Sequence, residues 1–182
     1  IRAPLINSGF QLEAENPRIC QLVLGTRFTD KSLNLLNDFQ KVNHFSSLIE
    51  IGSKDGLHLR MKELQKRLGH RIPFYPLAFF PPSDYEELLQ IWPTKPVWII
   101  KAPALSRARY IRLVYSKDEP APMLPWVIEE YISPPYLITG RKFDIRIYVL
   151  VTSIDPLIFY FYDEGLALFA THLYDENGDI NY

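Results

Sequence analysis

Between Arg141 and Val151 the chain reads Arg141-Lys142-Phe143-Asp144-Ile145-Arg146-Ile147-Tyr148-Val149-Leu150-Val151. Phe143, Ile145, Ile147, Val149 and Val151 fall on one side of a period of two, and Lys142, Asp144 and Arg146 on the other. That alternation predicts one half-buried β-strand. Side chains two apart on a strand face stand about 7 Å from each other. Two cations flanking a carboxylate at that pitch can hold a phosphate chain and help to position a metal or a second ligand. The same charges also suit a solvated face of an antiparallel sheet, where they neutralise each other. The strand alone leaves both readings open and leans to the second.

Other residues bear on the choice. Lys101 ends the apolar run Val97-Trp98-Ile99-Ile100. A lysine there can reach phosphate at the edge of a sheet, or simply mark the surface end of a strand. The following stretch, Ala102 to Tyr110, contains no glycine. Glycine is the residue that lets backbone N–H groups approach a phosphate closely. Here Ser106, Arg107 and Arg109 would have to serve through their side chains. Glu129 and Glu130 are adjacent on a predicted strand and must point to opposite faces; one is functional, or both are edge-strand acids. His44, His58, His70 and His172 lack zinc-like spacing, so no metal is assigned to them.

The elements that must position these groups can be read in outline. Residues 1–29 show no clean period. Asp30 is placed as the N-cap of a short helix carrying Leu33, Leu36 and Phe39. Leu57, Met61, Leu64 and Leu68 recur at helical spacing after Ser53, and Gly69 ends that helix. The segment from Pro73 to Pro82, rich in proline and aromatic residues, reads as a linker packed on a domain. Ser83 and Glu86 form a capping-box pair for a helix that Pro93 stops. Strands follow at Val97 to Lys101, Ile111 to Tyr115 and Trp126 to Ile132, then the opening run. Leu157 to Tyr162 and Leu166 to Ala170 are predicted to form a hairpin across Asp163-Glu164-Gly165, and Asp155-Pro156 a turn. Helices lead and strands follow, an α+β or α/β layout.

Composition narrows the class further. The 182 residues are 47% hydrophobic, enough for a core, which argues against intrinsic disorder. A net charge of −1 argues against nucleic-acid binding driven by bulk charge. Lys54 to Arg71 is nonetheless basic, and Ile147 to Tyr182 has acids with no Lys or Arg. A basic patch of that kind suits an acidic partner or a solvated helix face. Cys20 is the sole cysteine, so an internal disulfide framework is excluded. No apolar run reaches membrane-spanning length. The first residue is not Met and the last stretch ends abruptly, so both ends are read as cuts within a longer protein.

Several of these segments occur in one order: Val97 to Lys101 with its loop, Ile128-Glu129-Glu130-Tyr131-Ile132, Gly140 to Ser153, Asp155-Pro156, Glu164-Gly165-Leu166 and Phe169-Ala170-Thr171. That order resembles the tubulin tyrosine ligase-like family of amino-acid ligases, which have an ATP-grasp fold. Upstream, Lys41-Val42-Asn43-His44-Phe45 and Ile51-Gly52-Ser53-Lys54-Asp55 are similar to the polyglutamylase-type members. The resemblance covers roughly residues 40 to 175. It implies an N-terminal domain over 1–70, a central ATP-grasp domain over 71–140 and the truncated start of a C-terminal ATP-grasp domain over 141–182. ATP would phosphorylate an acceptor carboxylate on tubulin or a similar acidic tail, and the amino group of free glutamate would attack the acyl phosphate.

By motif position the resemblance gives Lys101, Arg107, Glu129, Glu130, Lys142 and Asp144 to ATP, and Lys142 and Arg146 to catalysis. It implies Mg²⁺ as well as ATP, with the metal ligands expected beyond Tyr182. Residues 1–182 alone are therefore expected to lack ligase activity. It further implies a monomer without nucleic-acid or membrane partners, in the cytoplasm and on the microtubule cytoskeleton, the cilium or basal body included. Three departures mark this chain. Ala108 and Tyr110 replace loop glycines, Glu129-Glu130 replaces a Gln-Arg or Gln-Lys pair, and Leu168 replaces an arginine. They support an alternative, a catalytically inactive relative that holds acidic tubulin tails.

Overall fold

The computed structural model describes residues 2–12, 19–25, 28–46, 49–69, 72–103 and 110–175. The chain divides into two compact units, Ile1–Leu57 and His58–Tyr182. The first unit holds the helix α1 (Arg2–Asn7), the strand β1 (Leu22–Val23), α2 (Asp30–Leu33), β2 (Lys41–Val42) and α3 (Ile49–Gly52). β1 and β2 run parallel. Side chains tie this short pair. Gln40 Nε2 donates to the Cys20 carbonyl at 2.8 Å, and Asn43 makes both an accepted and a donated bond with Gly25 at 3.0 Å. α4 (Lys54–Leu68) follows.

The second unit is built on a four-stranded antiparallel sheet ordered β3 (Ala78–Phe79), β6 (Val127–Glu130), β4 (Val97–Lys101), β5 (Ile111–Tyr115). One face of it receives α5 (Tyr85–Ile91) and the 3₁₀ turn Trp92–Thr94. Alternation decides which side chains meet that layer. Trp98 and Ile100 of β4, Ile128 of β6, Val114 of β5 and Phe79 of β3 pack with Leu88 and Trp92. Trp98 is fully buried, stacked on Trp92 with centroids 5.3 Å apart and met edge-on by Phe79. Each indole N–H is satisfied: Trp98 Nε1 donates to the Trp92 carbonyl at 3.2 Å and Trp92 Nε1 to the Glu119 carbonyl at 3.0 Å. A large aromatic can thus be buried without an orphaned donor.

The remaining strands form two ribbons. β7 (Phe143–Arg146) pairs antiparallel with β10 (Leu166–Phe169). β8 (Val149–Ile154) pairs antiparallel with β9 (Leu157–Phe161), with an irregularity between Val151 and Ser153. Among the described residues no helix is long and apolar enough to cross a membrane.

Several expectations need correction. The run from Arg141 to Val151 is two strands, not one, because its halves take different partners. The foreseen hairpin of the last two strands does not form either, since β9 returns to β8 and β10 to β7. Gly165 permits that return: a Cβ there would lie 2.6 Å from the Arg146 carbonyl oxygen. Nor is the strand half-buried, as Ile145 and Ile147 are both exposed. The segment expected as a linker contributes β3, whose register sets Ala78 against Glu129.

At the helices, Thr29 rather than Asp30 caps α2, and that helix stops at Leu33, before Leu36 and Phe39. Asp84, not Ser83, is the N-cap of α5, and no side-chain cap bond forms. Its carboxylate is drawn instead to His58, Lys62 and the Phe80 N–H. In α4 the buried side chain is His58, whereas Leu57, Leu64 and Leu68 stay partly exposed. α1 and β1 lie in the stretch that showed no period.

A candidate ligand cleft on the four-stranded sheet

The face of β4 away from Trp98 carries Ile99 and Lys101, and β6 sets Glu129 opposite Ile99. These side chains open onto a cavity of about 580 Å³. Pro76, Ile111, Glu130, Tyr131, Ile132, Pro135, Tyr136, Lys142, Phe143 and Asp144 complete its lining. Volume and lining match a small-molecule site: mostly apolar walls with a few charged groups.

Three segments bring those charges together. Lys101 is at the end of β4 because the strand continues past the buried Ile100. Glu129 is near the end of β6. Lys142 and Asp144 arrive by a tight turn. Ile138 and Arg141 exchange backbone bonds of 3.1 and 3.0 Å, and Thr139 and Gly140 between them have φ of +50° and +73°. Positive φ at both central positions is the signature of a type I′ turn. The next residues are clamped: the Lys142 carbonyl accepts from Ala170 N at 2.8 Å, and Arg141 donates to the carbonyls of Ala170 and Thr171.

The charges are already engaged with one another. The Lys101 ammonium forms an ion pair with Glu129, both partly buried. Glu130 pairs with Lys95 at 2.7 Å. The Lys142 ammonium lies 5.3 Å from the centroid of the Tyr131 ring, within range of a cation–π attraction. Burial, and then the Glu129 carboxylate, push the Tyr75 phenol up to about 12.

Of the residues singled out from sequence, Lys101, Glu129, Glu130, Lys142 and Asp144 line this one cavity. Arg146 is at the far end of β7, exposed and opposite Leu166, and is not part of the lining. Arg107, with Ser106, Ala108 and Arg109, lies outside the described residues. Tyr110 is exposed at φ +54° and meets Trp126 edge-on, a backbone region that favours glycine. Leu168 stands opposite Asp144 in the β7–β10 register. Sequence reading passed over Tyr131, Lys95 and the apolar walls. The signal for Tyr131 was present, since it sits within the quoted Glu129-Glu130-Tyr131 segment; Lys95 carried none, because cross-strand distance is not visible in a sequence.

A second charged cluster uses none of the residues that line the cleft. His58 Nε2 is 3.0 Å from Asp84 Oδ2, and Lys62 donates to Asp84 at 2.8 Å and to Glu87 at 2.9 Å. His58 and Lys62 share one face of α4 because they are four apart. Burial opposes the charge on Asp84, yet Lys62, the Phe80 N–H and His58 together hold its pKa below the usual carboxylate range. Burial opposes the charge on Lys62 too, and Asp84 and Glu87 more than offset it, so its pKa is raised. The cluster fastens α4 to the start of α5.

Comparison with known proteins places the chain. A sequence profile of the tubulin-tyrosine ligase family matches residues 32–181. The human tubulin monoglutamylase TTLL4 is 36% identical over 153 residues, 82% of this chain and 13% of that protein. The human tubulin polyglutamylase TTLL5 is 38% identical over 146 residues, 79% of this chain and 11% of that protein. A probable β-tubulin polyglutamylase of Tetrahymena thermophila is 33% identical over 150 residues, 80% of this chain and 13% of that protein. The chain thus spans about an eighth of the length of these relatives. The chain belongs to the tubulin-tyrosine ligase family.

Proposed function

We propose that this chain is the nucleotide-holding part of an ATP-dependent ligase that joins glutamate to an acceptor carboxylate of tubulin. The observation that carries the reading is the gathering of Lys101 from the end of β4 and of Lys142 and Asp144 from the start of β7 onto one cavity of about 580 Å³, in a family whose relatives named above are tubulin glutamylases. The four-stranded sheet would be the central domain of an ATP-grasp fold, spanning 71–140, after an N-terminal domain over 1–70. The ribbons would begin the C-terminal domain at 141.

In this scheme the apolar walls Ile99, Ile111 and Ile132 take the adenine. Lys101 and Lys142 take the phosphates, together with Arg107. Asp144 orients the Lys142 side of the cleft. Arg146, on the same strand face as Asp144, meets the acceptor carboxylate as it approaches. The reaction activates that carboxylate as an acyl phosphate, which the amino group of glutamate then attacks. Fixed cations are most effective where negative charge builds on the transferring phosphoryl group. A divalent ion supplies further charge neutralisation when bound. Among the described residues no three His, Cys, Asp or Glu gather to hold one. The place of action would be the microtubule cytoskeleton.

The test is ATP-dependent incorporation of labelled glutamate into tubulin by the full-length protein. Lys101→Met and Lys142→Met should each lower it by about 100-fold, the usual scale for one lost transition-state charge contact. Tubulin retention without any transfer by the parent protein would replace this reading with a binding module.

A further inference from the structure

The charge balance of the cleft is unusual for a site that takes a polyanion. Its lining holds two lysines, Lys101 and Lys142, against three carboxylates, Glu129, Glu130 and Asp144. Glu130 is accounted for by Lys95, which stands outside the lining. Glu129 is different, because its partner is Lys101 itself, a cation that would meet phosphate. Side-chain exposure of the pair is 25% for Lys101 and 14% for Glu129. An ion pair so far withdrawn from water is costly to separate without a replacement charge.

We propose that Glu129 is a built-in competitor for the phosphate position of the cleft, so that a nucleotide binds by taking the Lys101 ammonium away from it. This rests on the nucleotide reading above and adds a specificity-determining residue to it. The competitor acts on anionic ligands only. A neutral nucleoside gains nothing from Lys101 and leaves the pair intact. A di- or triphosphate must leave the Glu129 carboxylate without its cation inside a half-buried pocket. Its affinity is therefore reduced by the cost of breaking the pair, and the cleft discriminates less between nucleotide and nucleoside than an uncommitted lysine would allow. Glu130 has no such effect, since its own cation is not a ligand contact.

The experiment measures binding of Mg-ATP and of adenosine to the full-length protein, with Glu129→Gln, Glu129→Ala, Glu119→Gln, Lys101→Met and the Glu129→Gln, Lys101→Met double variant. Thermal melting of each variant verifies folding, and the two Glu129 substitutions guard against an artefact of either. Both Glu129 variants should tighten Mg-ATP binding by about tenfold, the scale of one partly buried ion pair between the exposed and buried limits. Adenosine affinity should be unchanged. Glu119→Gln, whose carboxylate pairs with Arg112 outside the lining, should alter Mg-ATP affinity by less than about twofold. The gain from Glu129→Gln should vanish when Lys101 is Met, which isolates the pair by a double-mutant cycle.

Weaker or unchanged Mg-ATP binding in the Glu129 variants, with Lys101→Met still losing affinity, would overturn the competitor and leave the nucleotide reading standing. An equal loss of ATP and adenosine would overturn it in favour of a base contact by Glu129. Absence of ATP binding to the parent and to both Glu129 variants would remove the nucleotide reading and the competitor together.

Discussion

The strand β4 and the ribbon of β8 and β9 are written in much the same apolar alphabet, Val-Trp-Ile-Ile against Val-Leu-Val and Leu-Ile-Phe-Tyr-Phe, yet they end in opposite environments. Trp98 and Ile100 are fully buried, whereas Leu150 and Phe161 are each 63% exposed. Both are paired antiparallel along their length, the ribbon with one irregularity between Val151 and Ser153. What differs is the second layer: α5 and Trp92 cover the sheet, and among the described residues nothing buries the β8–β9 ribbon. Apolar alternation therefore specifies extended backbone, while burial depends on which other element carries a matching apolar face.

That contrast can be broken most sharply by truncation. Trp98→Ala should cost about 3–5 kcal/mol in denaturant unfolding, as expected for a filled core site. Phe161→Ala, on the exposed ribbon, should stay within about 1 kcal/mol. Equal costs would mean that the ribbon is as well packed as the sheet.

A smaller effect is expected from the cluster that joins α4 to α5. Asp84→Ala takes the carboxylate from buried His58 and leaves Lys62 with Glu87 alone, and should cost about 3 kcal/mol. Its pH dependence has a fixed sign. The folded pKa of Asp84 is lowered, so its contribution is complete above the unfolded-state value of about 4 and is lost as pH falls through the lowered one. The folded pKa of Lys62 is raised, so its contribution is complete below about 10.4 and is lost as pH rises through the raised one. Asp84→Asn should flatten the acid limb of a plot of urea midpoint against pH. An acid limb identical to the parent's would show that the carboxylate is not stabilised by these partners.

The smallest effect concerns the turn that delivers Lys142. Thr139 sits at φ +50°, where a side chain costs about 1–2 kcal/mol. Thr139→Gly should raise stability by about 0.5 kcal/mol, because glycine's entropy cost of about 0.5–1 kcal/mol consumes part of the relief. A loss of stability instead would mean that its hydroxyl, which donates to the Ile138 carbonyl at 2.7 Å, outweighs the strain.

Much of the sheet was legible because its signals are local. Val97 to Lys101 and Ile111 to Tyr115 were read with the bounds they have. Pairing was not legible. A period of two runs unbroken from Phe143 to Val151, and nothing in it says that the chain changes partner between Arg146 and Val149. Caps misled for a related reason. Ser83 and Glu86 carry the right types at the right spacing, but Asp84 is held by partners from α4, twenty-two and twenty-six residues earlier in sequence. The charged residues of the cleft stand out by type and spacing and take their roles from the family resemblance, while their mutual pairing emerged only with the register of β4 and β6.

The most direct test of the cleft is photolabelling of the full-length protein with azido-ATP, followed by peptide mapping. The account predicts label on peptides that carry Ile99 to Lys101, Glu129 to Tyr136 or Lys142 to Asp144, with labelling suppressed by excess ATP. Label confined to other segments, such as α4 and α5, or label that ATP does not suppress, would contradict it.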